Sequence, residues 1–128
     1  MRGRKKSNGP TQAELEILNH LWERGPSTVK DLHEEVKKTS EVGYTTVLKF
    51  LQIMLTKGLV TRNEDERPHV YQAKASSEES KTNLLKDMVE RAFGGSTKAL
   101  LMHALGTQSV SSEELAEIRK EIEAMEKD

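Results

Sequence analysis

The sequence predicts a mainly α protein with one small β-hairpin. Three observations carry that expectation. Capping boxes and glycine stops bracket segments whose apolar residues recur at helical spacing. Two short β-prone runs sit together near the middle, and everything after residue 75 is helical in pattern.

Taken in order, residues 1–10, "MRGRKKSNGP", form a basic, flexible arm carrying Arg2, Arg4, Lys5 and Lys6. Thr11-x-x-Glu14 is a capping box that opens a first helix, with Leu15, Leu18 and Leu21/Trp22 on one face. Gly25-Pro26 stops it. Ser27 or Thr28 caps a second helix, with Asp31 near its positive end and Val29, Leu32 and Val36 inward. After a polar break the third helix starts at Tyr44. Its expected buried stripe is Tyr44, Val47, Leu48, Leu51 and Leu55, and Gly58 ends it in the left-handed conformation. The runs "LVTRN" and "HVYQA", separated by "EDERP", read as a hairpin.

Three helices and a hairpin within residues 11–75 describe a winged helix-turn-helix domain. Residues 76–128 read as three amphipathic helices, two of them opened by the capping boxes Ser76-x-x-Glu79 and Ser111-x-x-Glu114 and the first broken by "GGS". Their apolar positions are Leu84, Leu85, Met88, Phe93, Leu100, Leu101, Met102, Leu105, Leu115, Ile118 and Ile122. Small helices without a globular body bury such faces against another copy, so this half is expected to be a helical dimerisation domain. Packing against the first half is the alternative.

Composition agrees with a borrowed core. The 128 residues are 34% hydrophobic and 4% aromatic, lean for a self-sufficient domain of this length. There is no cysteine, which excludes disulfides, thiolate metal sites and a cysteine nucleophile. No apolar run is long enough to cross a bilayer and the basic N-terminus leads into none, so the expectation is a cytoplasmic protein without direct membrane binding. The net charge of −1 conceals an asymmetry: residues 1–75 hold 13 Lys/Arg against 10 Asp/Glu, and residues 76–128 hold 7 against 11.

The chemically informative stretch is "GYTTVLKFLQIMLTKGLV". No Asp or Glu occurs between Glu41 and Glu64, although 32% of the chain is charged. With the stripe turned inward, Thr45, Thr46, Lys49, Gln52 and Thr56 face outward. A helix fits the major groove, where Thr reaches a thymine methyl or a phosphate and Lys donates to guanine. A carboxylate on that face would meet phosphates with like charge. Thr28 and Lys30, at the start of the second helix, suit a phosphate. Arg62, Arg67 and His69 form the candidate wing contacts, and Tyr44 either stacks or packs inward. The acidic "EDE" of the wing has to point away from DNA, or the wing contributes little.

Enzyme chemistry finds no support. His20, His33, His69 and His103 are scattered, "HEEVK" lacks the second histidine of a zinc-protease motif, and "FGGS" lacks the lysine of a phosphate loop. No cofactor and no metal are called for. An alternative of another class, a winged-helix module that binds a regulator or a polymerase subunit, stays open.

The segments "TQAELEILNHLWERGPSTVKDLHEEV", "GYTTVLKFLQIMLTKGLV" and "RPHVYQA", with "FGGSTKALLMHAL" further on, resemble the penicillinase-repressor (BlaI/MecI/CopY) group of bacterial repressors. The resemblance implies a homodimer on a palindromic double-stranded DNA operator, with the helix from Tyr44 in the major groove and interlocked C-terminal helices. In β-lactam-responsive members it also implies a membrane sensor protease as a partner and release by cleavage at an Asn-Phe pair. His103-Ala104 stands at that position here and departs from the pattern. The cysteine hook of the copper-responsive members has no counterpart.

Overall fold

The structure, a computed structural model, describes residues 9–128, so nearly all of the basic arm lies outside the described residues. Among the described residues are six helices and one two-stranded sheet. The order is α1 (Gln12–Arg24), α2 (Val29–Val36), α3 (Tyr44–Lys57), β1 (Val60–Asn63), β2 (Val70–Ala73), α4 (Ser77–Ala92), α5 (Thr97–Thr107) and α6 (Ser112–Glu126). The chain divides into two compact units, residues 1–84 and 85–128, and the division falls inside α4.

In the first unit local chemistry sets the helix ends. Thr11 and Glu14 exchange hydrogen bonds as a capping box at α1, Glu14 N–H donating to the Thr11 hydroxyl and Thr11 N–H to the Glu14 carboxylate. Thr28 and Asp31 repeat the device at α2, which selects Thr28 over Ser27 as the cap. Ser27 instead pairs with Tyr71, with backbone N···O distances of 2.9 and 2.8 Å, and so adds a short bridge to the hairpin edge. Gly58 ends α3 with φ 80° and ψ 19°, a conformation that a side chain would disfavour. β1 and β2 are antiparallel, with Arg62 opposite Tyr71.

One core joins these elements: Ile17, Leu18 and Leu21 of α1, Val29, Leu32 and Val36 of α2, Val47, Leu51 and Met54 of α3, and Val60 and Tyr71 of the hairpin. The second helix is buried on the expected face. The stripe on α3 is corrected. Tyr44 is 47% exposed, Leu48 and Leu55 are only partly buried, and Met54 is fully buried. The buried set Val47, Leu51, Met54 is rotated about the helix axis by roughly 60° from the expected one. Tyr44 is the first helical residue and projects past the rim of the core, whereas Met54 lies above its centre. On α1, Ile17 takes the core position and Leu15 is partly buried.

The second unit has no core of its own within one chain. No residue of α4, α5 or α6 is buried. Leu85 and Met88 on α4, Leu101 and Met102 on α5, and Leu115, Ile122 and Met125 on α6 are exposed. Leu84, Phe93, Leu100, Leu105 and Ile118 are partly buried. Gly94 and Gly95, at φ 58° and 83°, break α4 from α5, and Ser111–Glu114 caps α6. No helix among the described residues is long and apolar enough to cross a membrane.

Candidate nucleic-acid interface

The core fixes which side of α3 faces solvent. With Val47, Leu51 and Met54 inward, Thr45, Thr46, Lys49, Gln52, Ile53 and Thr56 are all exposed. Thr46, Lys49, Ile53 and Thr56 follow one another at i, i+3, i+7 and i+10, one continuous outer stripe. The threonines and lysine expected on this face are there. Ile53 is the addition, and at 41% exposed it gives the stripe a branched apolar surface. In the sequence it hides among other apolar residues, and only the true phase of the core turns it outward. Tyr44 joins the same end of the helix, its ring edge-on to that of His33 at 6.1 Å and 86°.

α2 offers less than its sequence promised. The Thr28 hydroxyl accepts from the Asp31 N–H at 3.1 Å, and the Asp31 carboxylate accepts from the Thr28 N–H at 3.1 Å. The protein's own carboxylate therefore already sits at the positive helix end. Hydrogen bonding of the carboxylate by the Thr28 backbone N–H and side chain, helped by the charges of Arg24 and Lys30, outweighs burial and holds Asp31 below the usual carboxylate range. Lys30 is exposed beside it and forms no close ion pair among the described residues, its charge acting on Asp31 from further away.

The wing is neutralised from within. Arg62 Nη2 lies 2.5 Å from Glu64 Oε2, and its guanidinium stands over the Tyr71 ring at 6.0 Å. The Arg62 hydrogen bond and charge hold Glu64 below its ordinary value. Arg67 donates to the backbone carbonyls of Glu64 and Glu66, while Glu66 is also bonded to Asn63. His69 is partly buried at the foot of β2. Of the three expected wing contacts, the two arginines are thus occupied by the wing's own oxygens.

Sorting the cations of this unit by partner sharpens the picture. Arg24 reaches Asp31 and Glu35 at 3.7 and 3.5 Å, Lys38 reaches Glu35 at 3.1 Å, and Lys57 reaches Glu14 at 2.6 Å. Lys30, Lys37, Lys49 and Lys74, all exposed, form no ion pair among the described residues. Lys37 is the C-cap of α2, and sequence alone does not show which of Lys37 and Lys38 is paired. Three of these four lysines lie on the helix-turn-helix, and the fourth, Lys74, directly follows β2, away from the wing tip. Among the described residues no group of three or more His, Asp or Glu is placed to hold a metal ion.

A helix-turn-helix core, a short wing and an acid-free outer face on the second helix of the motif together define a winged-helix transcriptional regulator, a DNA-binding class. Within that class the chain belongs to the penicillinase repressor family, whose family model matches residues 10–124. It is a family of transcriptional repressors, and the protein is not an enzyme. The chain is 31% identical over 115 residues to a transcriptional regulator BlaI of Mycobacterium tuberculosis, covering 88% of this chain and 82% of the relative. It is 20% identical over 109 residues to a penicillinase repressor of Staphylococcus aureus, covering 85% and 86%. It is 19% identical over 109 residues to the methicillin resistance regulatory protein MecI of Staphylococcus aureus strain N315, covering 85% and 89%.

Proposed function

We propose that the protein represses transcription as a homodimer bound to a palindromic operator, with α3 of each subunit in the major groove. The observation that carries this reading is the contrast between the outer face of α3 and its surroundings. Lys49 stands unpaired between Thr45, Thr46 and Ile53 on a face without acids, while Arg24, Lys38, Lys57 and Arg62 are all engaged internally. In this reading Lys49 donates to guanine, Thr45, Thr46 and Ile53 offer methyl groups to thymine, and Lys30 and Lys37 meet phosphates.

The exposed apolar residues of α4–α6 support the dimer, since a second copy supplies the core that one chain lacks. Linking two weak modules raises the effective concentration of the second and adds about 10²- to 10⁴-fold in affinity. Residues 76–128 are accordingly assigned to dimerisation and residues 11–75 to DNA binding. Any signal that separates the subunits, proteolysis included, then releases the operator.

Salt titration of binding to promoter duplexes tests the reading. Lys30 and Lys37, two phosphate contacts per subunit, predict a log–log slope of about −3.6 for the dimer, at about −0.9 per neutralised phosphate. Lys30→Gln and Lys37→Gln each flatten the slope by nearly 1 unit per subunit, about 2 in the dimer, Lys49→Gln relaxes base preference instead, and Arg62→Gln leaves the slope almost unchanged. A flat response in the unaltered protein points instead to a protein partner on the winged-helix surface.

A further inference from the structure

α3 differs from its neighbours at its start. Its N-cap, Gly43, has extended angles of φ −83° and ψ 168° and supplies no side-chain hydrogen bond. A residue in that conformation without a cap leaves the angle at which the chain turns into the helix poorly defined. The preceding connection does not define it either. Its backbone hydrogen bonds, Lys38 N–H to Glu35 O, Thr39 N–H to Val36 O and Ser40 N–H to Val36 O, all belong to the end of α2.

His33 fills that role. It lies in the last turn of α2, and its Nε2 is 3.1 Å from the carbonyl oxygen of Val42. A carbonyl only accepts, so Nε2 carries the proton and donates. The same ring meets Tyr44 edge-on at 6.1 Å. One imidazole thus grips the chain on both sides of Gly43. Its bond to Val42 reaches from α2 to the residue just before Gly43, beyond the bonds that Lys37 to Ser40 make to the end of α2. His33 is partly buried, so it acts from behind the exposed face.

We infer that His33 is a positioning residue for sequence readout: it sets the angle of the first turn of α3, and with it the aim of Tyr44, Thr45 and Thr46, without touching DNA. The inference rests on the proposed DNA-reading role of α3. It separates two quantities that a purely structural residue would move together. Non-specific binding depends on the phosphate-facing lysines Lys30 and Lys37, which lie on or at the end of α2, whereas discrimination between bases depends on where the first turn of α3 points.

The test uses the full-length protein and two probes: a duplex selected by the unaltered protein from a random pool, and a random-sequence duplex of equal length. His33→Phe keeps a ring beside Tyr44 and removes the donor, while His33→Gln restores a donor. The expected result is that His33→Phe lowers the ratio of specific to non-specific affinity about tenfold. Non-specific affinity and its salt slope stay unchanged, and His33→Gln recovers most of the ratio. Should His33→Phe fail to fold, as judged by Trp22 fluorescence, His33→Asn, too short to reach Val42, takes its place with the same expected loss. An unchanged ratio overturns the inference, as does a fall of both affinities in parallel with stability. If the unaltered protein selects no sequence at all, the DNA-reading role itself fails, and the inference with it.

Discussion

Replacing Lys57 by methionine should cost the first unit about 2–3 kcal/mol at pH 7 and reverse the way one carboxylate links stability to pH. Glu14 is 3% exposed, and its Oε1 is 2.6 Å from Lys57 Nζ and 3.0 Å from the Thr11 N–H. Burial alone would push its pKa up. The Lys57 hydrogen bond, the Thr11 N–H and the Lys57 charge together outweigh burial, so it lies below its ordinary value. A depressed pKa contributes stability that is present above the unfolded value and lost as pH falls through the folded one. Between about pH 6 and 7 Glu14 therefore contributes almost no slope in the unaltered protein.

Methionine keeps the length and packing of the lysine stem but leaves the carboxylate with a single N–H donor. Breaking a fully buried pair costs about 3–5 kcal/mol, and the Lys57 side chain is 23% exposed, which lowers the figure. Protonation sets a ceiling, because neutralising a glutamate of ordinary pKa at pH 7 costs about 3.7 kcal/mol. With burial opposed only by Thr11, the Glu14 pKa rises above its unfolded value, and the variant gains stability as pH falls from 7 toward 5. Urea unfolding followed by fluorescence of Trp22, the one tryptophan, reads this unit at fixed protein concentration. Trp22 is anchored by its Nε1–H to the Ala75 carbonyl at 3.0 Å. The double variant Glu14→Gln/Lys57→Met should recover most of the loss. A loss below about 0.5 kcal/mol, or a variant no more stable at pH 5 than at pH 7, would refute the assignment of Glu14 as a buried charge held by Lys57.

Three further outcomes follow from the same geometry. Gln52→Glu, on the exposed acid-free face, should leave the unfolding curve within about 0.5 kcal/mol and weaken operator binding at least about tenfold, measured by fluorescence anisotropy. Thr28→Ala removes the hydroxyl that accepts from the Asp31 N–H and should destabilise the first unit by about 1 kcal/mol in the same urea assay. Leu115→Glu combined with Ile122→Glu places charge in the exposed stripe of α6 and should yield a folded monomer in sedimentation, with operator affinity lower by about 10²-fold or more.

Much of this protein is written in short-range signals. Thr11-x-x-Glu14, Ser111-x-x-Glu114, Gly58 and the Gly94-Gly95 pair each satisfy or end a helix through groups only a few residues apart. Such signals need no knowledge of the fold to be read. The acid-free outer face is equally local, because a helix turns Thr45, Thr46, Lys49, Gln52 and Thr56 to one side whatever it packs against. Family membership follows from the same stretches.

Other features belong to the tertiary structure because they join residues far apart in the chain. The phase of α3 was settled by what packs beneath it: Met54 meets the centre of the core while Tyr44 overshoots its edge, which also turned Ile53 outward. The partners of the charges were decided in space. Lys57 found Glu14 across 43 positions, and Arg24 found Asp31 and Glu35. That sorting left Lys30, Lys37, Lys49 and Lys74 without an ion pair and tied Arg62 and Arg67 to the wing's own oxygens. A sequence fixes how many charges a protein has, but Coulomb attraction acts over ångströms of space, so only the fold decides which of them remain for DNA.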